Sequence, residues 1–158
     1  MHRYVALLRG INVGGKNMLP MQRLRELVGN LGCVAAQTYL QSGNLLFESA
    51  DTADVARRAI ARVVAMELGT PIPILVRTAV NLAQVIAGNP FLLADPAMDP
   101  VRLHVTFLDG APTPAVLARL ALIAPSPKAP LDRFACIGDV VYLDCRGGYS
   151  YPSIEHTD

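Results

Sequence analysis

Residues 34–48 read VAAQTYLQSGNLLFE. Val34 to Leu40 and Leu45 to Glu48 are rich in residues that fit extended backbone, and Ser42-Gly43-Asn44 between them are turn formers. The stretch is predicted as a β-hairpin, and its flanks decide what the hairpin belongs to. Upstream, Pro20 opens a helix, where its missing N–H costs nothing. Met21, Leu24, Leu27, Val28 and Leu31 recur at helical spacing, Arg23, Arg25 and Glu26 take the other face, and Gly32 stops the helix. Before it, Tyr4 to Ile11 reads as a buried strand, followed by a glycine-containing loop from Asn12 to Leu19. Downstream, Asp51 and Thr52 cap a second helix that turns Val55, Ala59, Ile60 and Val63 inward and Arg57, Arg58 and Arg62 outward, as far as Gly69. Ile72 to Arg77 is the next strand. The order is β-α-β-β-α-β, the ferredoxin-like unit: an antiparallel sheet with both helices on one face.

The remainder starts the pattern again. Thr78 caps a short helix carrying Leu82, Val85 and Ile86, ended by Asn89-Pro90, and a loop follows from Asp95 to Pro100. Val101, Leu103, Val105 and Phe107 alternate with Arg102, His104 and Thr106, which predicts a half-buried strand. Thr113-Pro114 start a helix with Val116, Leu117, Leu120 and Ile123 on one face, and a proline-rich loop runs from Ser126 to Pro130. Arg133 to Ile137 and Val140 to Asp144 form a hairpin around Gly138-Asp139. The class is therefore α+β. A first ferredoxin-like half spans 1–78, a second and incomplete one spans 79–146, and 147–158 is a divergent or disordered tail.

Composition narrows the function classes. The 158 residues are 52% hydrophobic with mean hydropathy +0.34, which excludes a disordered chain. No apolar run approaches the ~20 residues of a membrane span, and because the N-terminus runs directly into a strand pattern no signal peptide is expected. Cys33, Cys136 and Cys145 form no C-x-x-C pair, and the expected state is reduced thiols in a cytoplasmic protein. The net charge of +1 gives no general attraction to nucleic acid, but residues 1–79 carry +4 and residues 80–158 carry −3. Such asymmetry fits either an anion-binding face on the first half or scattered solvated charge.

Two motifs carry candidate chemistry. Gly10 to Asn17, GINVGGKN, follows a strand and nearly matches the phosphate-cradling G-x-x-x-x-G-K-[ST] loop. Asn17 replaces the magnesium-binding hydroxyl, the helix starts near Pro20 rather than at the Gly-Lys, and the sheet reads as antiparallel, so a nucleotide triphosphatase is not expected. Glycine N–H groups beside Arg9 and Lys16 still suit a phosphate or carboxylate. The second motif is Thr38 to Asn44, TYLQSGN, where alternation puts Tyr39 and Gln41 on the face opposite Thr38 and Leu40. Catalytic constellations are missing: His2, His104 and His156 lie far apart, Ser42 has no base, and no metal-ligand spacing or cofactor fingerprint occurs. With no Trp and 6% aromatics, an aromatic platform for single-stranded nucleic acid is poorly supported.

The segment Tyr4 to Asn17, YVALLRGINVGGKN, resembles the opening of the bacterial domain-of-unknown-function family 1697, and Met21 with Leu24-Arg25 fits its next helix. Thr38 to Asn44 is similar to that family's other hallmark, T-Y-[IL]-Q-S-G-N, and Asn89-Pro90-Phe91 is similar to a further feature. The resemblance covers about residues 3–145 and implies an α+β fold of ferredoxin-like halves, without implying an activity. The family's chains end with a helix and an R-N-W-N segment, whereas this sequence ends in GGYSYPSIEHTD, truncated or diverged. The second sheet is then expected to expose an edge, which a homodimer would cover.

The expected function is binding of a small anionic, phosphate-bearing ligand. Its site residues are Arg9, Asn12, Gly14, Gly15, Lys16 and Asn17 from the loop, with Tyr39, Gln41, Ser42, Gly43 and Asn44 from the turn. No metal or cofactor is expected. The alternatives are a nucleic-acid-binding module, an enzyme acting on a phosphorylated substrate, and a protein–protein interaction scaffold.

Overall fold

The computed structural model describes residues 1–122 and 132–146. The chain is α+β and falls into two compact units, Met1–Gln84 and Val85–Asp158. The first unit contains β1 (His2–Leu8), α1 (Met21–Gly29), β2 (Val34–Tyr39), β3 (Asn44–Ser49), α2 (Ala53–Leu68) and β4 (Ile74–Thr78). Its four strands lie in the order β2-β3-β1-β4, and every neighbouring pair is antiparallel.

One face of this sheet is the core. Tyr4, Ala6 and Leu8 of β1 alternate inward and meet Leu45 and Phe47 of β3, Leu24 and Val28 of α1, and Ala56, Ile60 and Val64 of α2. Both ends of α2 are set by local chemistry. Thr52 accepts a hydrogen bond from the Val55 N–H at its start, and Gly69 turns left-handed (φ 70°) at its end. The inward stripe of α2 is Ala56-Ile60-Val64, whereas Val55 is exposed, because the helix enters the core one position later than the apolar count implied.

Other boundaries differ from the sequence reading. Strand β1 ends at Leu8, and Ile11 lies beyond it in the loop, yet it is buried in the same core and lies against Gly43. Strand β2 carries a bulge between Val34 and Gln37, with Ala35 at φ 53°. Leu40 has left the strand with φ 61°, so the alternation of Tyr39 and Gln41 against Thr38 and Leu40 stops there.

Helix α3 (Ala79–Ala87) starts where Thr78 Oγ1 accepts the Asn81 N–H, and it carries the chain to the second unit. Ile86, placed inward by sequence, is exposed, and Val85 is the buried residue. The second unit then contains α4 (Pro90–Ala94), a 3-10 turn (Pro100–Arg102), β5 (Leu103–Phe107), α5 (Pro114–Ala121), β6 (Arg133–Ile137) and β7 (Val140–Asp144). Sequence reading treated Asn89-Pro90 as a helix end and Asn89-Pro90-Phe91 as a feature of the resembled family. In the structure Asn89 caps α4, its side chain accepting the Phe91 N–H. Val101 belongs to the 3-10 turn and is exposed, and Val105 is exposed too, so the expected four-residue inward stripe of this strand is not formed.

The second sheet has the antiparallel order β5-β7-β6, with the β6–β7 turn at Gly138-Asp139. Its core gathers Val85, Phe91, Met98, Val140 and Tyr142. On α5, Val116 and Leu117 are exposed, so they are not the inward face that sequence reading made them. Ile123, the proline-rich loop at 126–130 and the tail at 147–158 lie outside the described residues. Among the described residues no helix is long and apolar enough to cross a membrane.

Candidate functional site

The Arg9–Asn17 loop leaves the end of β1 and folds back on itself. Arg9 donates its backbone N–H to the Pro73 carbonyl at 3.0 Å, which fixes the loop's first residue beside the entry to β4. Asn12 N–H donates to the Asn17 carbonyl at 3.2 Å, and Lys16 N–H donates to the Val13 carbonyl at 3.1 Å. The second bond closes a four-residue turn whose central residues, Gly14 and Gly15, have φ 59° and 73°. Two successive positive φ values are the type I′ geometry, which glycine adopts without strain. Open space surrounds the position of a Cβ at either glycine, so both backbones are approachable. Lys16, the last residue of this turn, is exposed.

Two asparagines hold the loop. Both Asn12 (φ 55°) and Asn17 (φ 48°) adopt left-handed backbone, a conformation that asparagine tolerates by bonding locally. Asn17 Nδ2 donates to the Gly10 carbonyl at 2.8 Å. Asn12 does more. Its Oδ1 accepts the N–H of buried Leu19 at 2.7 Å, while its Nδ2 donates to the Leu19 carbonyl and to the Gln41 carbonyl, both at 2.9 Å. One side chain therefore joins the glycine loop, the entry to α1 and the β2–β3 turn.

The turn at residues 40–43 meets the loop at a second point. Gly43 is buried, has φ 84°, and lies so close to Ile11 and Leu8 that no larger residue fits. Its carbonyl accepts the Leu8 N–H at 3.3 Å. Asn44 Nδ2 donates to Ser42 Oγ at 3.2 Å, which engages both side chains with each other. Thr38 Oγ1 accepts from Arg25 of α1 at 2.6 Å. Tyr39 and Leu40 stand 64% and 65% exposed at the tip, so neither is packing a core.

The structure thus brings the two sequence motifs together. Gly14, Gly15, Lys16, Tyr39, Gln41 and Ser42 are exposed, and Asn12, Asn17, Gly43 and Asn44 brace the arrangement. Sequence reading missed Leu19, whose two backbone groups anchor Asn12, and Arg25. Arg25 had no legible signal, since helical spacing puts it on the outer face with Arg23 and Glu26. The Leu19 backbone had none either. Among the described residues no group of three or more His, Cys, Asp or Glu side chains is placed to hold a metal ion. All three cysteines are free thiols, and burial pushes each above its ordinary value.

No curated protein matches the chain. Among solved structures it is similar to the conserved bacterial protein SP0830 from Streptococcus pneumoniae, with 23% sequence identity and a TM-score of 0.72. The match covers 91% of this chain and 77% of that one. At such identity the likeness speaks for the fold alone. Residues 1–142 match the family described as protein of unknown function (DUF1697), a span that includes both motifs and the first residues of the last hairpin strand. The chain belongs to the DUF1697 family of proteins of unknown function.

Proposed function

We propose that the first unit is a ferredoxin-like scaffold that binds a small anionic, phosphate-bearing ligand where the Arg9–Asn17 loop meets the Gln41–Asn44 turn. The observation that carries this reading is the Asn12 amide, which ties the glycine turn to the Gln41 carbonyl. Left-handed backbone at Asn12 and Asn17 is held by their own side-chain hydrogen bonds, and such conformations concentrate at functional sites. In this reading Arg9 and Lys16 neutralise charge, and the Gly14 and Gly15 N–H groups donate to an oxyanion. Gln41 and Ser42 orient the ligand, while Asn12, Asn17, Gly43 and Asn44 hold the frame. Tyr39 offers its ring to the ligand's apolar body.

The test is a thermal-shift screen of the full chain against nucleotides, sugar phosphates, phosphate and sulfate at two salt concentrations. A ligand at about 100 times its dissociation constant adds roughly 2.7 kcal/mol, a shift of several degrees. The expected outcome is a selective shift that Lys16→Ala and Arg9→Ala abolish. Affinities unchanged in both variants refute the reading.

A further inference from the structure

A second polar centre lies in the other unit, at the sheet end away from the Gly138-Asp139 turn. Asp144, the last residue of β7, is fully buried. The strands on both sides of it each bring an arginine. Arg102, just before β5, donates Nε (3.1 Å) and Nη2 (2.7 Å) to Asp144 Oδ1. Arg133, the first residue of β6 and the register partner of Asp144, donates Nε (3.1 Å) and Nη2 (2.7 Å) to Oδ2. Arg146 adds its Nε at 3.4 Å to the same oxygen, and its backbone N–H donates to Asp132.

Three features set this apart from a simple strand tie. Residues 80–158 are net acidic and contain five basic residues, yet three of the five converge here. Three guanidiniums meet the single carboxylate of Asp144, and the neighbouring Asp132 carboxylate takes the Arg146 backbone N–H, so positive charge is left over. The side chains of Arg102, Arg133 and Arg146 remain 30%, 48% and 40% exposed. Each guanidinium has five N–H donors, and Asp144 takes only part of them. The Arg133 guanidinium is also seated, with its carbon 5.0 Å from the centroid of the Phe91 ring. That ring is held by α4, whose cap is Asn89. The Asn89-Pro90-Phe91 motif, which plays no part in the first unit's site, thereby supports the arginine cluster.

We propose that Arg102, Arg133 and Arg146 form a second binding site, for the phosphate group of a small phosphate ester, with Asp144 as the buried group that orients them. A carboxylate buried behind two forked arginines fixes their planes and leaves their outer N–H groups pointing in set directions. Several divergent donors with surplus positive charge match a tetrahedral dianion better than a planar monoanion. This inference is independent of the site in the first unit.

The test follows arginine Nε–Hε signals by NMR in the full chain, with inorganic phosphate and then acetate titrated at constant ionic strength. Saturable shifts at Arg102, Arg133 and Arg146 are expected with phosphate, and acetate is expected to bind at least tenfold more weakly. Arg146→Gln leaves the Arg102–Asp144–Arg133 clamp intact and is expected to weaken phosphate at least tenfold, while Lys16→Ala leaves these shifts unchanged. Shifts that do not saturate, equal binding of acetate, or undiminished affinity in Arg146→Gln would overturn the proposal and leave the cluster a tie between strand ends.

Discussion

Replacing Gly43 by alanine tests how the loop and the turn are joined. A Cβ at Gly43 would lie 2.5 Å from Ile11 Cδ1 and 3.0 Å from both Ile11 Cγ1 and Leu8 Cβ. The Cδ1 contact alone is relieved by rotating the end of a flexible side chain, but Ile11 is 1% exposed and has nowhere to rotate. Leu8 Cβ sits on a strand bonded on both sides and yields little. Overpacking of this kind costs about 1–3 kcal/mol. The φ of 84° adds about 1–2 kcal/mol for any residue with a Cβ, and the stiffer unfolded chain returns about 0.4–1 kcal/mol. The expected loss is about 3 kcal/mol. Gly15→Ala is the control. Its φ is 73° but nothing lies within 4 Å, so the net loss is about 1 kcal/mol. Native-state hydrogen exchange at the Ala6 and Leu45 amides, both in the first unit's central strands, reads each loss directly. Equal losses in the two variants would refute the close approach of turn and loop.

Three further outcomes are expected. Asn12→Ala leaves the buried Leu19 N–H and two carbonyls without their partner, a loss of about 2–3 kcal/mol by the same exchange measurement and of any ligand shift seen in the screen. Asn89→Ala removes the cap of α4 at a cost of about 1 kcal/mol, and it broadens the Arg133 Nε signal as Phe91 loses its position. For Asp144, burial opposes ionisation, and the hydrogen bonds from Arg133 and Arg102 outweigh it, so the carboxyl titrates below its ordinary range. A depressed value in the folded state gives stability that is complete above the unfolded-state value of about 4 and is lost as pH falls through the folded one. Asp144→Asn is therefore expected to cost about 2–3 kcal/mol at pH 7, at the low end of broken buried pairs because the arginines are partly hydrated. Urea midpoints of wild type and variant should converge only below about pH 4.

Local chemistry was legible in the sequence, and tertiary placement was not. The ends of α2 at Thr52 and Gly69 and the β6–β7 turn at Gly138-Asp139 were readable because caps and tight turns draw on a few residue types. The bulge at Ala35 was invisible, since alanine at φ 53° has no propensity that announces it. On α2 the sequence placed Ile60 and Val63 correctly against the core, but it put Val55 inward in place of Ala56 because valine looks more apolar, and only the sheet beneath decides which of the two is covered. The loop and the turn were each recognisable, but their junction depends on an Asn12–Gln41 bond across 29 residues. The arginine cluster was legible only in part. A hairpin centred on Gly138-Asp139 pairs Arg133 with Asp144, but nothing in the residues near Arg102 says that it reaches the same carboxylate.

The two units also bear on what the arginine cluster is for. In each, the third strand lies between the first and the second: β3 between β1 and β2, β7 between β5 and β6. Ser49 ends β3 as Asp144 ends β7, and both are buried. Ser49 accepts the Asp51 N–H at 3.1 Å, a local and neutral solution that needs no cation. The same topological end can therefore be closed without charge, so the topology does not require Asp144. A buried carboxylate is an expensive way to join strand ends, because desolvation consumes most of the Coulomb attraction and a well-packed apolar group serves as well. What the carboxylate adds over Ser49 is direction: it orders two guanidiniums whose side chains stay partly exposed. That is an arrangement suited to holding something else, and it is why phosphate titration at this end separates a binding site from a strut.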